Sequence, residues 1–334
     1  VAGPLTSGHL DIQRVRNLNQ ASPSKSVVRA TQFHPSGQLA LTAGLDKTLR
    51  VFQVDGHANT KVRSVHFRDL PITSAAFLGR HGTADEVVCS GRRPFFMTYD
   101  LGSGKHMRVS RIEGRDEKSL ESMVASPCGR YLCFLGNDGY LILVSGRTKR
   151  WVASLKLNGP VRCAAFSGSG DELFAGGAEG QVYRFDLRTR RCLHRHVDEG
   201  AQVVTALDVD PMGRFYACGS DNGVVNVYDA TSAAVQAGAT AVAPAKALMG
   251  LTTRVDVVKF NHDGSALVTA SMLDKDALRV THLPSLTTFT NWPTDRTPLG
   301  YVAAAAFSPH SGYLTIGNDK GKALLYRLNH YERA

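Results

Sequence analysis

Three kinds of short stretch in the sequence carry residue types that could do chemistry. The segment "GSGK" at 102–105 ends like a phosphate-binding loop. The segment "HRHVDE" places His194, His196 and Asp198 at every second residue, which puts three metal-ligating side chains on one face of a strand. Clusters of arginine and lysine recur between residues 92 and 191, and such clusters suit a polyanionic partner.

The first two stretches do not complete the chemistry that they suggest. A phosphate-binding loop needs glycine at position 99 and serine or threonine at 106, where the chain has Tyr99 and His106. The histidine stretch lacks a fourth ligand and falls on a predicted outer strand, so we expect solvated side chains there. Serine, histidine and aspartate occur without a nucleophile elbow or another ordered catalytic context. The sequence therefore predicts a binding scaffold with no catalytic residue, metal ion or cofactor.

The charge balance favours an acidic partner. The 334 residues include 39 lysines and arginines against 29 aspartates and glutamates, a formal net charge of +10. Such an excess raises the local concentration of polyanions whatever the fold, and nucleic acid is the leading candidate. Charge that serves only solubility is the alternative. No apolar run approaches the roughly 20 residues needed to cross a bilayer, so the sequence predicts no membrane span.

The six cysteines contain no C-x-x-C pair. Cys89, Cys133 and Cys218 fall in apolar runs just before a predicted turn, where free cysteine acts as a small buried hydrophobe. We therefore expect reduced, structural thiols, which suits an intracellular protein.

The elements that must position the basic clusters form a repeat. An apolar strand, a polar turn and a closing glycine recur seven times, and the hairpin of "GSDNGVVNVYD" recurs downstream of several copies. The closing glycines lie 41 to 51 residues apart. They are Gly37, Gly82, Gly129, Gly170, Gly213, Gly264 and Gly312. Seven units of this length are typical of a WD-repeat β-propeller, whose four-stranded blades, a to d, cover each other's faces.

The predicted fold is therefore all-β, a single seven-bladed WD40-type β-propeller over residues 1–334. No outer strand follows "KALLYRLNHY" in the last unit, whereas residues 9–18 alternate apolar and polar side chains. We predict that this N-terminal segment closes the last blade, because an open ring would leave an unpaired strand edge. The Ala-rich segment 232–250 is predicted to be a flexible loop in a c–d connection, and 111–122 a charged link between blades.

Basic residues mark the c–d turns of the second to fourth units. Equivalent turns of a propeller lie on one face, so these residues are predicted to form an arc that binds RNA or a protein partner. The predicted arc comprises Lys105, Arg108, Arg147, Lys149, Arg150, Arg188, Arg190 and Arg191, with Arg130 from an a–b turn on the same face. Arg92 and Arg93 lie on a b–c turn, hence on the opposite face. The adjacent Phe95 and Phe96 begin an inner strand and are expected to be core residues.

The chain also resembles a known family. The segments "AGLDKTLRVFQVDG", "FLGNDGYLILVS", "GSDNGVVNVYD", "LPSLTTFTNWP" and "GKALLYRLNHY", in this order from about Leu10 to Tyr331, are similar to the WD-repeat domain of the U3 small nucleolar RNA-associated protein 18 family. The resemblance implies a non-catalytic subunit of the UtpB subcomplex of the small-subunit processome, located in the nucleus and nucleolus. The implied partners are other UtpB subunits, namely tandem propellers and a helical-repeat protein. They also include the 5′ external transcribed spacer of pre-rRNA and the U3 small nucleolar RNA, contacted directly or through the complex.

Two functions from other classes stay open at this point. "FDLR" at 185–188 resembles the W-D-x-R box of propellers that act as substrate receptors of cullin ubiquitin ligases, with Phe185 in place of tryptophan. A reader of histones or other peptides that uses the central channel is the third possibility.

Overall fold

The structure, a computed structural model, describes residues 5–80 and 83–332 as seven four-stranded antiparallel sheets. Blade 1 is formed by β2 (Val28–Phe33), β3 (Leu39–Gly44), β4 (Thr48–Gln53) and β5 (Lys61–His66). Blade 2 is formed by β6 (Ser74–Arg80), β7 (Thr83–Ser90), β8 (Phe96–Asp100) and β9 (His106–Val109). Blade 3 is formed by β10 (Met123–Ala125), β11 (Tyr131–Leu135), β12 (Tyr140–Ser145) and β13 (Trp151–Lys156). Blade 4 is formed by β14 (Val161–Phe166), β15 (Glu172–Gly177), β16 (Gln181–Asp186) and β17 (Arg191–Val197).

The remaining blades follow the same order, except for the last strand. Blade 5 is formed by β18 (Val204–Val209), β19 (Phe215–Ser220), β20 (Val225–Asp229) and β21 (Lys246–Leu248). Blade 6 is formed by β22 (Val257–Phe260), β23 (Ala266–Ala270), β24 (Leu278–His282) and β25 (Thr287–Thr288). Blade 7 is formed by β26 (Val302–Phe307), β27 (Tyr313–Asn318), β28 (Ala323–Leu328) and the N-terminal β1 (Ile12–Arg14).

The blades form a closed ring. The innermost strand of each blade contacts the innermost strand of the next, and β26 of blade 7 contacts β2 of blade 1. Strands between two blades are buried on both faces, as in β12, where Leu141 to Val144 are all buried. This explains their continuous apolar sequence. The prediction of a seven-bladed propeller is confirmed.

The N-terminal strand closes the ring as predicted. β1 pairs with β28 so that Ile12 lies opposite Leu328 and Arg14 opposite Tyr326. Leu10 is buried beside the strand pair in the same apolar cluster as Tyr326. Blade 7 therefore joins the two ends of the described chain, and no covalent connection holds this pairing together.

Turn residues in the left-handed backbone region explain most of the closing glycines. Gly129 has φ +68°, and the backbone of Gly79 lies 2.8 Å from the position that a Cβ would take, so only glycine fits there. In the last blade the left-handed residue is Ser311, at φ +60°, and Gly312 has no positive φ. The role predicted for Gly312 is thus one residue out of place. Gly82 lies outside the described residues.

The Ala-rich segment has more local structure than a plain loop. It contains the short helix α1 (Ala233–Gln236), and its last residues form strand d of blade 5. Val235 and Val242 are buried against blades 4 and 5. Ala241 forms a β-bridge with Val197 on the outer strand of blade 4. The segment thus covers part of that outer strand, while its predicted flexibility stays a prediction.

All six cysteines are free thiols. Cys89, Cys133 and Cys218 are buried in inner strands, as expected. Burial raises the pKa of the neighbouring Cys163 thiol to about 12, so it stays protonated at neutral pH. No helix in the described ranges is long and apolar enough to cross a bilayer.

Candidate nucleic-acid interface

The c–d turns of blades 2, 3 and 4 share one backbone geometry. In blades 2 and 3 the last residue of strand c donates its N–H to the carbonyl five residues on, over 2.9 Å for Asp100 and 2.8 Å for Ser145. Four residues after each strand end lies a residue with positive φ. These residues are Gly104, Lys149 and Arg190. The three turns are thus superimposable in their connectivity, and each presents the same side-chain positions on the same face.

This correspondence aligns the predicted basic residues. Arg147 and Arg188 lie two residues after their strands end, and Lys105, Arg150 and Arg191 lie five residues after. Six of the predicted residues in or next to these turns are exposed and form neither an ion pair nor a cation–π contact within the described part of the chain. We call these six residues the basic arc: Lys105, Arg147, Arg150, Arg188, Arg190 and Arg191.

Lys149 is placed differently from its neighbours. Its side chain is buried, and Nζ lies 2.6 Å from a carboxylate oxygen of Glu86 on blade 2. The same Nζ donates to the carbonyl of Gly146 within its own turn. A buried amine bound to a partner carboxylate holds blades 2 and 3 together and is not presented to a ligand. We therefore leave Lys149 out of the basic arc.

Arg130 and Arg108 are also engaged within the molecule. Arg130 forms an ion pair with Asp171 in the a–b turn of blade 4, on the predicted face. Arg108 lies within β9 rather than in the turn, and its guanidinium is stacked 3.8 Å from the ring centroid of Phe95. Arg130 therefore borders the basic arc, whereas Arg108 points towards the other end of blade 2.

The second predicted cluster lies on the opposite face, as its topology requires. Arg92 forms an ion pair of 2.9 Å with Glu121, and Arg93 donates to the backbone carbonyl of Asp69 over 3.1 Å. Phe95 and Phe96 are both buried, as expected for core residues. This cluster therefore has no exposed aromatic ring beside its arginines and is a weaker candidate for contacts with bases.

An exposed aromatic residue that follows the basic arc in blade 3 was not predicted. Trp151 follows Arg150 at the start of β13 and is 46% exposed, with its indole N–H 3.0 Å from the Ser154 hydroxyl. The corresponding positions in blades 2 and 4 are His106 and Cys192. A large aromatic residue at a position with solvent on one side was the signal available in the sequence. An exposed indole beside arginines can stack on an unpaired base.

Two carboxylates shape the turns of the basic arc. Hydrogen bonds from the Ser103 amide and hydroxyl lower the pKa of Asp100, and those from the Thr189 hydroxyl and the Arg188 amide lower the pKa of Asp186. Both side chains are therefore ionised at neutral pH, when they accept turn N–H groups. They fix the turn backbone from which the arc side chains extend.

The histidine stretch is buried, so the expectation of solvated side chains is wrong. His194, His196 and Asp198 are each less than 7% exposed. The carbonyl of Ala239, in the Ala-rich segment, accepts a hydrogen bond of 2.7 Å from His194 Nε2. The outer strand of blade 4 is thus covered by a segment that belongs to blade 5. Among the described residues no group of three or more histidine, cysteine, aspartate or glutamate side chains is arranged to hold a metal ion.

The "FDLR" stretch has a local structural role. Phe185 is buried, and the carboxylate of Asp186 accepts hydrogen bonds from the Arg188 N–H over 2.9 Å and the Thr189 hydroxyl over 2.7 Å. These contacts organise the c–d turn itself. Only Arg188 extends to solvent, and there it is one of several arginines of the arc.

Known proteins resemble this chain over almost its whole length. A homolog of U3 small nucleolar RNA-associated protein 18 from Arabidopsis thaliana is 42% identical over 99% of this chain and 59% of its own length. The homolog from Homo sapiens is 37% identical over 98% of this chain and 58% of its own length. The protein of that name from Saccharomyces cerevisiae is 32% identical over 96% of this chain and 61% of its own length. The chain thus spans about three fifths of these relatives.

Two domain families match parts of the ring. Residues 147–282 match the β-propeller of the family described as nucleolar protein 10-like, N-terminal domain, and residues 13–53 match the WD domain, G-beta repeat. These matches agree with the seven blades, and the relatives agree with the family named from the sequence segments. This chain is a WD-repeat β-propeller that is similar over almost its whole length to proteins of the U3 small nucleolar RNA-associated protein 18 family.

Proposed function

We propose that this domain is a non-catalytic scaffold of the small-subunit processome, within the UtpB subcomplex, that acts in nucleolar pre-rRNA processing and 40S ribosome biogenesis. The relatives carry a name that associates them with U3 small nucleolar RNA, and this supports a place in a complex that contains RNA. The observation that carries the proposal is the basic arc, which faces solvent on one side of a rigid ring.

The basic arc fits the chemistry of an RNA backbone. Arginine presents a planar donor fork that binds phosphate oxygens in a bidentate manner, and five of the six arc residues are arginines. Positions two and five residues after each strand end recur in neighbouring blades, so the charges follow the ring as a row. A row of cations suits successive phosphates of one strand.

Trp151 adds a preference for single-stranded RNA. It begins strand d of blade 3, directly after the turn that supplies Arg147 and Arg150. A base can stack on an exposed ring only when it is unpaired, and each such stack typically contributes about 1–3 kcal/mol. The proposed ligand is therefore an unpaired stretch of the pre-rRNA 5′ external transcribed spacer or of U3 small nucleolar RNA.

The proposed scaffold also contacts protein subunits. We propose that its partners are the other UtpB subunits, tandem propellers and a helical-repeat protein, and that it acts in the nucleus and nucleolus. An acidic subunit could dock on the same arc in place of RNA. The two partners differ in one measurable respect, because RNA binding releases condensed counterions and therefore depends steeply on salt.

A charge-reversal variant tests the RNA contact. Arg188→Glu/Arg190→Glu/Arg191→Glu is compared with Lys275→Glu/Lys320→Glu/Lys322→Glu, which makes the same charge change in exposed b–c turns of blades 6 and 7 on the opposite face. Affinity for a single-stranded transcript of the 5′ external transcribed spacer is measured against salt. The arc variant should bind at least about tenfold more weakly, and its salt slope should fall by about 2, since each phosphate contact contributes about 0.7. The control should bind like the unmodified domain.

Subunit association is measured in parallel. If RNA affinity and salt slope stay unchanged in the arc variant while co-purification of a UtpB subunit fails, the arc is a protein interface and the RNA contact is refuted. The domain is also purified from growing cells. If a cullin adaptor co-purifies with it, is lost in Arg188→Ala, and no processome proteins are found, the domain is a ligase receptor and the scaffold function is refuted.

A further inference from the structure

The mouth of the central channel is a second charged site, on the face opposite the basic arc. A cavity of about 400 Å³ lies there, and residues that precede or begin the innermost strands line it. Four basic side chains and two acidic ones line the cavity: Arg29, Arg162, Arg254, Lys259, Glu121 and Asp256. The mouth therefore carries a net positive charge.

Arg29 and Arg162 occupy equivalent places in their blades. Each is the extra residue of a β-bulge near the start of an innermost strand, between Val28 and Ala30 in blade 1 and between Val161 and Cys163 in blade 4. Bulges re-aim a side chain at such positions. Blades 1 and 4 are three blades apart in a seven-membered ring, so the two guanidiniums face the channel from opposite sides.

The other charges of the lining are already matched. Arg254 forms an ion pair of 2.8 Å with Asp256, and Lys259 forms one of 2.9 Å with Asp208. The carboxylate of Glu121 is bound by Arg92. Each acidic side chain of the lining is thus neutralised by a cation other than Arg29 or Arg162.

Neither Arg29 nor Arg162 has such a carboxylate among the described residues. Within that part of the chain, Arg29 donates only to the thioether sulfur of Met272, a weak acceptor, over 3.0 Å. Arg162 is exposed and forms no hydrogen bond or ion pair with the residues that the structure describes. Two guanidiniums that line one cavity without a carboxylate partner among the described residues leave their donor forks available to an anion.

The cavity favours a peptide over a nucleic acid. No aromatic side chain is among its lining residues, so it offers no platform for a base. Arg29 and Arg162 are one pair of uncompensated cations, which matches a single carboxylate better than the row of phosphates along a nucleic-acid strand. Below the mouth, small and apolar residues such as Ala164, Leu207 and Ala305 line the wall and can receive an apolar neighbour of that carboxylate.

We propose that the channel mouth binds an acidic peptide segment of a partner protein, with an aspartate or glutamate side chain held between Arg29 and Arg162. The positive mouth would repel a basic histone tail, so it does not suit that class of reader. This site is independent of the RNA contact proposed above, because the two surfaces lie on opposite faces and share no residue.

An immobilised peptide library tests the site on the 334-residue domain. Each peptide has twelve residues, with one central aspartate or glutamate among varied apolar and small residues, and a matched library replaces the acids with asparagine or glutamine. We expect a subset of the acidic peptides to retain the domain at least tenfold more strongly than their amide counterparts. Arg29→Gln/Arg162→Gln should lose that retention at least tenfold, whereas Lys320→Gln/Lys322→Gln, with the same charge change outside the cavity lining, should keep it.

Two further variants make the test decisive. Arg29→Lys/Arg162→Lys keeps the charge without the planar fork, and we expect an intermediate loss. If the double glutamine variant melts early, Arg162→Gln alone, whose side chain is exposed, replaces it. Equal retention of acidic and amide peptides by the unmodified domain, or unchanged retention by the glutamine variants, overturns the proposal. Loss of RNA binding in those variants without acidic-peptide retention would assign the mouth to RNA instead.

Discussion

Two junctions between blades hydrogen-bond their buried polar groups through different kinds of side chain. The closing seam, where residues 10–19 meet blades 1, 6 and 7, is held by neutral amides. Asn291 exchanges two hydrogen bonds with the backbone of Leu10, of 3.0 and 2.8 Å, and Asn19 does the same with Gly321 and Ala323. An amide offers a donor and an acceptor at every pH. The hydrogen bonds of these two amides should therefore be insensitive to pH.

The junction between blades 4 and 5 is built from titratable groups instead. We call it the polar seam: His194, His196, Asp198, Tyr216 and Tyr228. Asp198 accepts hydrogen bonds from Tyr228 over 2.7 Å and from Asn226 over 2.9 Å, and His196 Nε2 lies 3.3 Å from the Tyr216 hydroxyl. Asp198 Oδ2 and His196 Nδ1 have no hydrogen-bond partner among the described residues.

Burial moves the two pKa values of the polar seam in opposite directions. Desolvation raises the pKa of Asp198 to about 6, and desolvation together with the nearby His194 lowers the pKa of His196 to about 4. Both groups are therefore neutral near pH 5. A buried polar junction can thus be kept uncharged in two ways: with amide side chains, or with titratable side chains that burial makes neutral. Only the second way makes stability depend on pH.

The largest effect is expected where the closing seam is removed. Deletion of residues 1–18 removes β1 and the buried Leu10 and Leu18, exposing the edge of β28. Each buried leucine contributes about 1.5–3 kcal/mol, and the lost strand pairing adds to this, so most of a typical 5–15 kcal/mol stability should vanish. Thermal unfolding and size-exclusion chromatography should show early melting and aggregation.

A graded control accompanies this deletion. Removal of residues 1–8 alone keeps β1, Leu10 and Leu18 and loses one buried leucine, Leu5, so it should cost less stability. A synthetic peptide of residues 9–18 added to the chain without residues 1–18 should raise the melting temperature of that chain, because the edge of β28 is then paired again. Identical melting of the intact chain and the chain without residues 1–18 would show that the ring does not need this strand.

The next effect concerns the polar seam and its pH dependence. Stability from the raised pKa of Asp198 is present below pH 4 and lost as pH rises through about 6, whereas stability from the lowered pKa of His196 is present above pH 6.5 and lost as pH falls through about 4. Shifts of this size correspond to about 3 kcal/mol each, so they nearly cancel in the natural sequence. As pH rises from 4 to 7, the free energy of unfolding of Asp198→Asn should increase by about 3 kcal/mol relative to the unmodified domain. That of His196→Gln should decrease by about as much over the same range.

Urea unfolding across this pH range measures how the free energy of unfolding of each variant changes with pH. Subtracting the values for the unmodified domain cancels the contribution of other titrating groups. Opposite slopes in the two variants support the assignment. Parallel pH profiles for all three proteins would show that neither group titrates in this range in the folded state.

The repeat made most of the fold predictable, because turn glycines and apolar strands are local signals. The spacing of the closing glycines predicted seven blades, and the alternation within residues 9–18 predicted the closing strand. The same local signals could not predict Ser311. The last a–b turn has five residues, like those of blades 1 and 3 to 6, and keeps its fourth position left-handed, but serine stands there and the glycine follows one residue later. Local patterns thus identify an element more reliably than they identify the residue that bends it.

The candidate sites were less predictable because they depend on contacts between distant segments. Lys149 and Arg190 occupy the same turn position, yet only Lys149 finds a carboxylate, Glu86, on the preceding blade. His194 and His196 lie on an outer strand that the sequence suggests is solvated, and a segment of blade 5 covers it. The two channel arginines are 133 positions apart in sequence, at 29 and 162, and only the closed ring brings them to one cavity.

The smallest effect sharpens the contrast between the seams at a single side chain. Asn291→Ala removes both hydrogen bonds to the Leu10 backbone and leaves its N–H and carbonyl without their partner, which should cost about 1–3 kcal/mol. The loss should be the same at pH 4.5 and pH 7, because neither the Asn291 amide nor the Leu10 backbone exchanges a proton there. Asn291→Asp should behave differently. A carboxylate accepts from the Leu10 N–H but faces the Leu10 carbonyl without a proton to donate, so the pKa of the new carboxyl group should rise. The stability of this variant should therefore fall as pH increases. Urea unfolding at the two pH values separates the variants, and a pH-dependent loss in Asn291→Ala would show that a titrating group is coupled to the two hydrogen bonds between Asn291 and Leu10.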